Sequence, residues 1–160
     1  DLPNSNGMEF DQYDTPASRW VAVHENGQVL AGIRLTPTTH RCGIYTYMIR
    51  DAQKGLLGSI PQTMLYDDAP VAGNIWDSSR GFVSDRVPAN LRLRVQLQLR
   101  HEMVISARQL GATSVLGLIP ENSRRLGRRV GLECQPAGPV MDIDGVDCVC
   151  VTINMAAKLH

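Results

Sequence analysis

The chain has 160 residues, 43% hydrophobic and 20% charged, a balance that suits one domain able to bury about two-thirds of its unfolded surface. No apolar run approaches the roughly 18 residues of a membrane span, and two Trp and two Phe without an interleaved aromatic and basic motif argue against RNA-type stacking. The formal net charge is +0, yet Arg80, Arg86, Arg92, Arg94, Arg100, Arg108, Arg124, Arg125, Arg128 and Arg129 stand against only Asp85, Glu102 and Glu121 over the same stretch. That half of the chain is basic, which fits a solvated helix face, nucleic acid, or a dock for an acidic protein or phosphorylated carrier.

In chain order, residues 1–16 are polar and turn-rich and read as an irregular lead-in. Asp1 stands where a Met would begin a gene product, so an upstream segment is expected to have been removed. No charged n-region followed by an apolar h-region is present. Residues 18–24 and 29–35 are strand-like and flank Glu25-Asn26-Gly27-Gln28, a hairpin pattern because Asn and Gly tolerate positive φ. Both strands are apolar on both faces, as in a sheet covered on each side. From 36 to 73, frequent Gly and Pro among short apolar clusters predict loops with short helices.

Residues 74–84 form the next strand. The segment 91–110 alternates like a strand at first, but it runs about five turns without Gly or Pro and is rich in helix formers, which predicts a helix capped by Asn90 and stopped at Gly111. A buried-type strand at 114–119, a helix capped near Asn122 and ending at Gly131, and a strand at 146–154 after the turn Asp144-Gly145 complete the pattern. No repeat or second domain is visible. Cys42, Cys134, Cys148 and Cys150 lack metal-ligand spacing, and Cys148 and Cys150 fall on one face of a strand, so free thiols in a reducing cytoplasm are expected.

Three constellations carry chemistry. Asp11 and Asp14, in Gly7-Met8-Glu9-Phe10-Asp11-Gln12-Tyr13-Asp14, are spaced to converge on a cation or simply to be solvated. Arg34, near the end of an apolar strand, must find a carboxylate, because an unpaired buried charge costs several kcal/mol. Its partner is either a structural one among Asp11, Asp14 and Asp77 or a substrate carboxylate, which the guanidinium fork suits. In Trp76-Asp77-Ser78-Ser79-Arg80-Gly81-Phe82, a regular strand would put Asp77 and Ser79 on one face and Arg80 on the other; a bulge near Gly81 would bring them together.

In this order, the run at 7–14, Gly-Ile-Arg-Leu-Thr-Pro-Thr at 32–38 and Ile-Trp-Asp-Ser-Ser-Arg at 75–80 resemble the signature blocks of acyl-homoserine-lactone synthases, the LuxI-type autoinducer synthases. The resemblance implies a single three-layer α/β domain over 1–160 with the N-acetyltransferase (GNAT) fold, a mixed twisted sheet with helices on both faces. It also implies that Asp11, Asp14, Arg34 and Arg80 match the family's charged cluster, and that Asp77 stands where the family usually has a glutamate credited as base. Catalytic roles are thus expected for Asp77, Ser79 and Arg80, and substrate contacts for Asp11, Asp14, Arg34, Arg80 and Phe82. Three departures accompany the match: the chain starts after the family's N-terminal segment, Asp77 is one methylene shorter than Glu, and Gly81-Phe82 replaces a common aromatic pair.

The implied reaction needs a base for the methionyl amine of S-adenosylmethionine, donors for an oxyanion, and a held conformer for lactonisation with loss of methylthioadenosine. It needs no metal and no cofactor beyond its two substrates, S-adenosylmethionine and an acyl thioester carried by acyl carrier protein or CoA. A cytoplasmic monomer binding neither nucleic acid nor membrane is expected. The rival readings are a GNAT-type N-acetyltransferase using acetyl-CoA and a non-catalytic binding module. The first would call for a Gly-rich loop after the central strand, where the chain has Asp85-Arg86-Val87-Pro88-Ala89-Asn90. The second sits poorly with the presence of all four charged positions.

Overall fold

The computed structural model describes residues 2–3, 9–10 and 13–156, with side chains from residue 13 onward. β1 (Leu2–Pro3) and β2 (Glu9–Phe10) pair antiparallel as a separate ribbon. β3 (Arg19–Glu25) and β4 (Gln28–Pro37) form the expected hairpin, and Asn26 and Gly27 both take positive φ, 51° and 76°. After α1 (Met48–Gln53) come β5 (Ile75–Val83), α2 (Ala89–Gln109), β6 (Ser114–Pro120) and α3 (Ser123–Arg128). β7 (Cys134–Pro136), β8 (Met141–Ile143) and β9 (Val146–Asn154) end the fold.

The main sheet runs β3-β4-β5-β6-β9-β7, with β8 on β9 beyond the path. It is mixed: β5 and β6 are parallel and the other pairs antiparallel. The parallel pairing spans only Ile75↔Ser114 to Ser78↔Gly117, after which no further pairs join the two strands. Gly117 sits at that last rung, where a Cβ would come within 2.7 Å of the Ser78 hydroxyl.

Residues directly opposite one another share a face of the sheet, so the register sorts the side chains. Leu35, Trp76, Val115, Val149, Val151 and Ile153 face α2, which presents Met103, Val104 and Ala107. Val95, Leu99, Met103 and Ala107 recur every four residues along α2 and are buried. Each fully buried aliphatic side chain on such a stripe contributes about 1.5–3 kcal/mol. On the opposite face, Leu116 and Cys150 pack with Tyr47, Ile49, Ala52 and Met64 from α1 and its flanking loops. That face also carries Arg34, Thr36, Asp77 and Ser79.

Some expected boundaries move. α2 is capped by Pro88, not Asn90: Pro88 is extended at φ −59° and ψ 149°, its carbonyl accepts from Leu91 N–H, and Asn90 is already inside the first turn. Gly111 does stop the helix, at φ 86°, with its N–H on the Arg108 carbonyl. Asn122 caps α3 by position only; its side chain makes no capping bond and its backbone is helical, so the helix is six residues long and the turn continues to Gly131 at φ 84°. The short strands β7 and β8 were not anticipated. Among the described residues all four cysteines are free, and no helix is long and apolar enough to cross a membrane.

Candidate active site

Arg34 lies in the second strand from the sheet edge, cross-strand from Trp20 and Ser79, and is 0% exposed. Its Nε donates to Ser79 Oγ at 3.1 Å and its Nη1 to Asp14 Oδ1 at 3.1 Å. The Tyr13 ring lies under the guanidinium, 5.7 Å from its carbon. Carboxylate, hydroxyl and ring take the place of the water that the buried guanidinium loses. The cross-strand alignment supplies Ser79, and the non-regular segment before β3 supplies Asp14.

Asp77 faces Thr36 across the β4–β5 ladder and is 1% exposed. Among the described residues, its Oδ1 and the Thr36 hydroxyl are buried with no hydrogen-bond partner. Burial pushes the Asp77 carboxyl well above the usual carboxylate range, and the Arg34 charge only partly opposes this. The same environment raises its neighbours: burial and then the Asp77 charge push the Tyr47 phenol up, and burial with Asp77 takes the Cys150 thiol to about 12. Asp77 is therefore a carboxyl in a poorly solvated niche, raised by burial and partly opposed by the Arg34 charge, an arrangement suited to proton transfer.

The chain then departs from a regular strand. Gly32 pairs with Phe82 and Arg34 with Ser79, so Arg80 and Gly81 together oppose the single residue Ile33: a bulge in β5. Arg80 sits at φ 59°, a left-handed conformation that costs a non-glycine residue about 1–3 kcal/mol. The bulge lies where β5 and β6 part, and a cavity of about 330 Å³ opens there toward α2. Ser79, Arg80, Gly81 and Phe82 line one end; Leu99, Met103, Ile119, Leu132 and Ile153 form apolar walls, with Arg92, Gln96 and Arg100 also on the lining.

Of the sequence-predicted residues, Asp14, Arg34, Asp77 and Ser79 share one face, and Arg80 stands at the junction of that face with the cavity. Asp11 lies outside the described residues. Phe82 is 44% exposed, its ring packed over Gly32, where a Cβ would come within 2.7 Å, and edge-on to Trp20 at 6.3 Å. Thr36, Tyr13 and Asp51 were not singled out by sequence. Asp51 is buried in α1, accepts from Tyr13 and Thr46, and carries no periodic or motif signal that could have found it.

The basic residues divide. Arg124, Arg125 and Arg128 line a shallow concavity with Glu121 and Asp147, and Arg124 pairs with Glu121 at 3.0 Å. Arg92 instead donates to the Ser84 carbonyl, and Arg100 turns into the cavity, where burial lowers its pKa. Among the described residues no group of three or more His, Cys, Asp or Glu side chains is placed to hold a metal ion.

Comparison with known proteins places the chain in a family and a fold. The chain is 30% identical over 164 residues to an acyl-homoserine-lactone synthase of Ralstonia solanacearum, covering 98% of this chain and 74% of that protein. The solved structure of TofI in a ternary complex with an inhibitor and MTA superposes with a TM-score of 0.76 at 25% identity, over 97% of this chain and 74% of that one. A putative phosphinothricin N-acetyltransferase shares the fold at a TM-score of 0.50 and 18% identity, over 89% of this chain and 74% of that one. The autoinducer synthase family model matches residues 1–153, and the chain belongs to that family.

Proposed function

We infer that this protein makes N-acyl-L-homoserine lactones for quorum sensing. It moves an acyl group from a thioester to the amine of S-adenosylmethionine, closes the lactone and releases methylthioadenosine. The observation that carries this reading is the junction at the β5 bulge, where a charged, buried cluster on one face of the sheet meets a largely apolar cavity on the other, lined also by Arg92, Gln96 and Arg100. Such a junction lets a zwitterionic nucleophile and an aliphatic thioester approach one point from opposite sides.

In this reading Asp14 and Arg34, with Asp11 and Arg80, hold the methionyl end of S-adenosylmethionine, and Asp77 takes a proton from its ammonium. Raised by burial, Asp77 is a stronger base than an ordinary carboxylate, which narrows its gap to the amine. The freed amine attacks the thioester carbonyl, and backbone N–H groups around the β5 bulge are proposed to stabilise the oxyanion. The thiol departs. The methionyl carboxylate then attacks Cγ, and the sulfonium leaves as methylthioadenosine, a step that depends on a held conformer. Ser79 keeps Arg34 in register, and Phe82 bounds the acyl end.

The acyl donor is proposed to be acyl carrier protein, docking at the concavity around Arg124, Arg125 and Arg128, with acyl-CoA as the alternative. Residues 1–160 are proposed to form one synthase domain. Four free thiols fit a reducing cytoplasm, and the protein is proposed to work there as a monomer. Mass spectrometry of products from S-adenosylmethionine with acyl carrier protein or acyl-CoA tests this. An acyl-homoserine lactone with either donor supports the activity, and the faster donor decides the partner; absence of lactone with both defeats it.

A further inference from the structure

A buried clasp, not used in the chemistry above, ties the charged cluster to the other side of the fold. Asp51 in α1 is 0% exposed, and its carboxylate accepts the Tyr13 hydroxyl at 2.8 Å, the Thr46 hydroxyl at 2.7 Å and the Thr46 N–H at 3.0 Å. The Thr46 bonds are local and secure the entry to α1. The Tyr13 bond is not: it spans 38 positions, from a helix to a segment that belongs to no strand or helix.

Tyr13 and its neighbour Asp14 meet Arg34 from two directions. The Tyr13 ring lies under the guanidinium at 5.7 Å and stands edge-on to Tyr45 at 6.4 Å, while Asp14 takes the Arg34 Nη1 at 3.1 Å. Arg34 is fixed from its own strand by Ser79. Asp14 lies outside the strands, in a segment shaped by turns, by the Ser18 hydroxyl on the Tyr13 carbonyl at 2.6 Å and by the Thr15 hydroxyl beside His40 Nε2 at 3.4 Å. The Tyr13 hydroxyl on Asp51 carries this segment into α1.

We propose that Asp51 is a positioning residue for S-adenosylmethionine: through the Tyr13 hydroxyl it sets where Asp14 and the Arg34 guanidinium stand. This rests on the reading that Asp14 and Arg34 grip that substrate. A charge-assisted hydrogen bond fixes direction as well as distance, and a carboxylate displaced by about an ångström no longer presents Arg34 in the productive geometry.

Tyr13→Phe is the discriminating variant, because it keeps the ring under Arg34 and leaves Asp51 with both Thr46 donors. Steady-state kinetics of the full protein, well below its melting temperature, should show KM for S-adenosylmethionine up about tenfold, the loss of one hydrogen bond to a charged group. KM for the acyl thioester should stay within about twofold. Asp51→Asn should act in the same direction, and the double variant should be no worse than the poorer single one, because both break one bond. Arg34→Lys, measured in parallel, separates the two layers of the argument. If Arg34→Lys raises KM for S-adenosylmethionine and Tyr13→Phe lowers only the melting temperature, the positioning role is overturned and the site reading stands. If neither variant changes that KM, both are overturned.

Discussion

Asp77 and Arg34 sit on adjacent strands, on the same face of the sheet, yet are not hydrogen-bonded to each other. Arg34 spends its Nε on Ser79 and its Nη1 on Asp14, while Asp77 feels it only through space. The cation is near enough to oppose the effect of burial and too committed elsewhere to cancel it. A carboxyl so placed can stay poised for proton exchange instead of being locked as the anion of a salt bridge.

The pH dependence of stability follows from that relationship. Because the folded-state pKa of Asp77 is raised above its ordinary value, burying this group favours folding fully only below about 3.9, the unfolded-chain value. The advantage is lost as pH rises from there through the folded-state value. Asp77→Asn cannot ionise. Thermal unfolding of both proteins across pH 4 to 8 should therefore show the difference, variant minus wild type, moving in favour of the variant as pH rises. A difference constant with pH would mean that Asp77 titrates normally.

Breaking the Asp14–Arg34 pair from one side should be costly. Asp14→Ala leaves a fully buried guanidinium short of its carboxylate, and should destabilise the protein by about 3 kcal/mol in denaturant titrations. Replacing both, Asp14→Ala with Arg34→Met, should recover a good part of that loss while leaving the protein unable to use S-adenosylmethionine. If the single variant is as stable as wild type, the ion pair does not contribute to the fold.

The basic concavity offers a separate test. Arg124→Ala with Arg128→Ala should raise KM for acyl carrier protein several-fold and leave KM for S-adenosylmethionine alone. The wild-type KM for the carrier should worsen with added salt as screening shortens the reach of exposed charges. Arg124 already pairs with Glu121, so Arg128 is expected to contribute the larger share. A KM for the carrier insensitive to both substitution and salt would favour acyl-CoA.

Much of the fold could be read from local chemistry: Asn26-Gly27 and Asp144-Gly145 demanded positive φ, and Gly111 ended α2 as a residue free of Cβ can. The alternating start of α2 misleads by period alone. Leu93 is 40% exposed because the leucines wrap the helix, while Val95, Leu99, Met103, Val104 and Ala107 form its buried side. β7 and β8 were hidden because three-residue strands are made by pairing with β9 and not by their own composition. At the site, Arg34 and Asp77 announced themselves as charges inside apolar strands, and the bulge followed from polar residues that needed to converge. Asp51 did not, since its role comes from a partner 38 positions away.

The most direct test of the central claim is a single-turnover measurement of methylthioadenosine release from S-adenosylmethionine and an acyl thioester, with wild type and Asp77→Asn compared at equal folded concentration. The expected result is acyl-dependent release by wild type and a rate lower by about a hundredfold or more in Asp77→Asn, the scale of losing a general base. Release by wild type that does not depend on the acyl thioester, or equal rates in the two proteins, would contradict it.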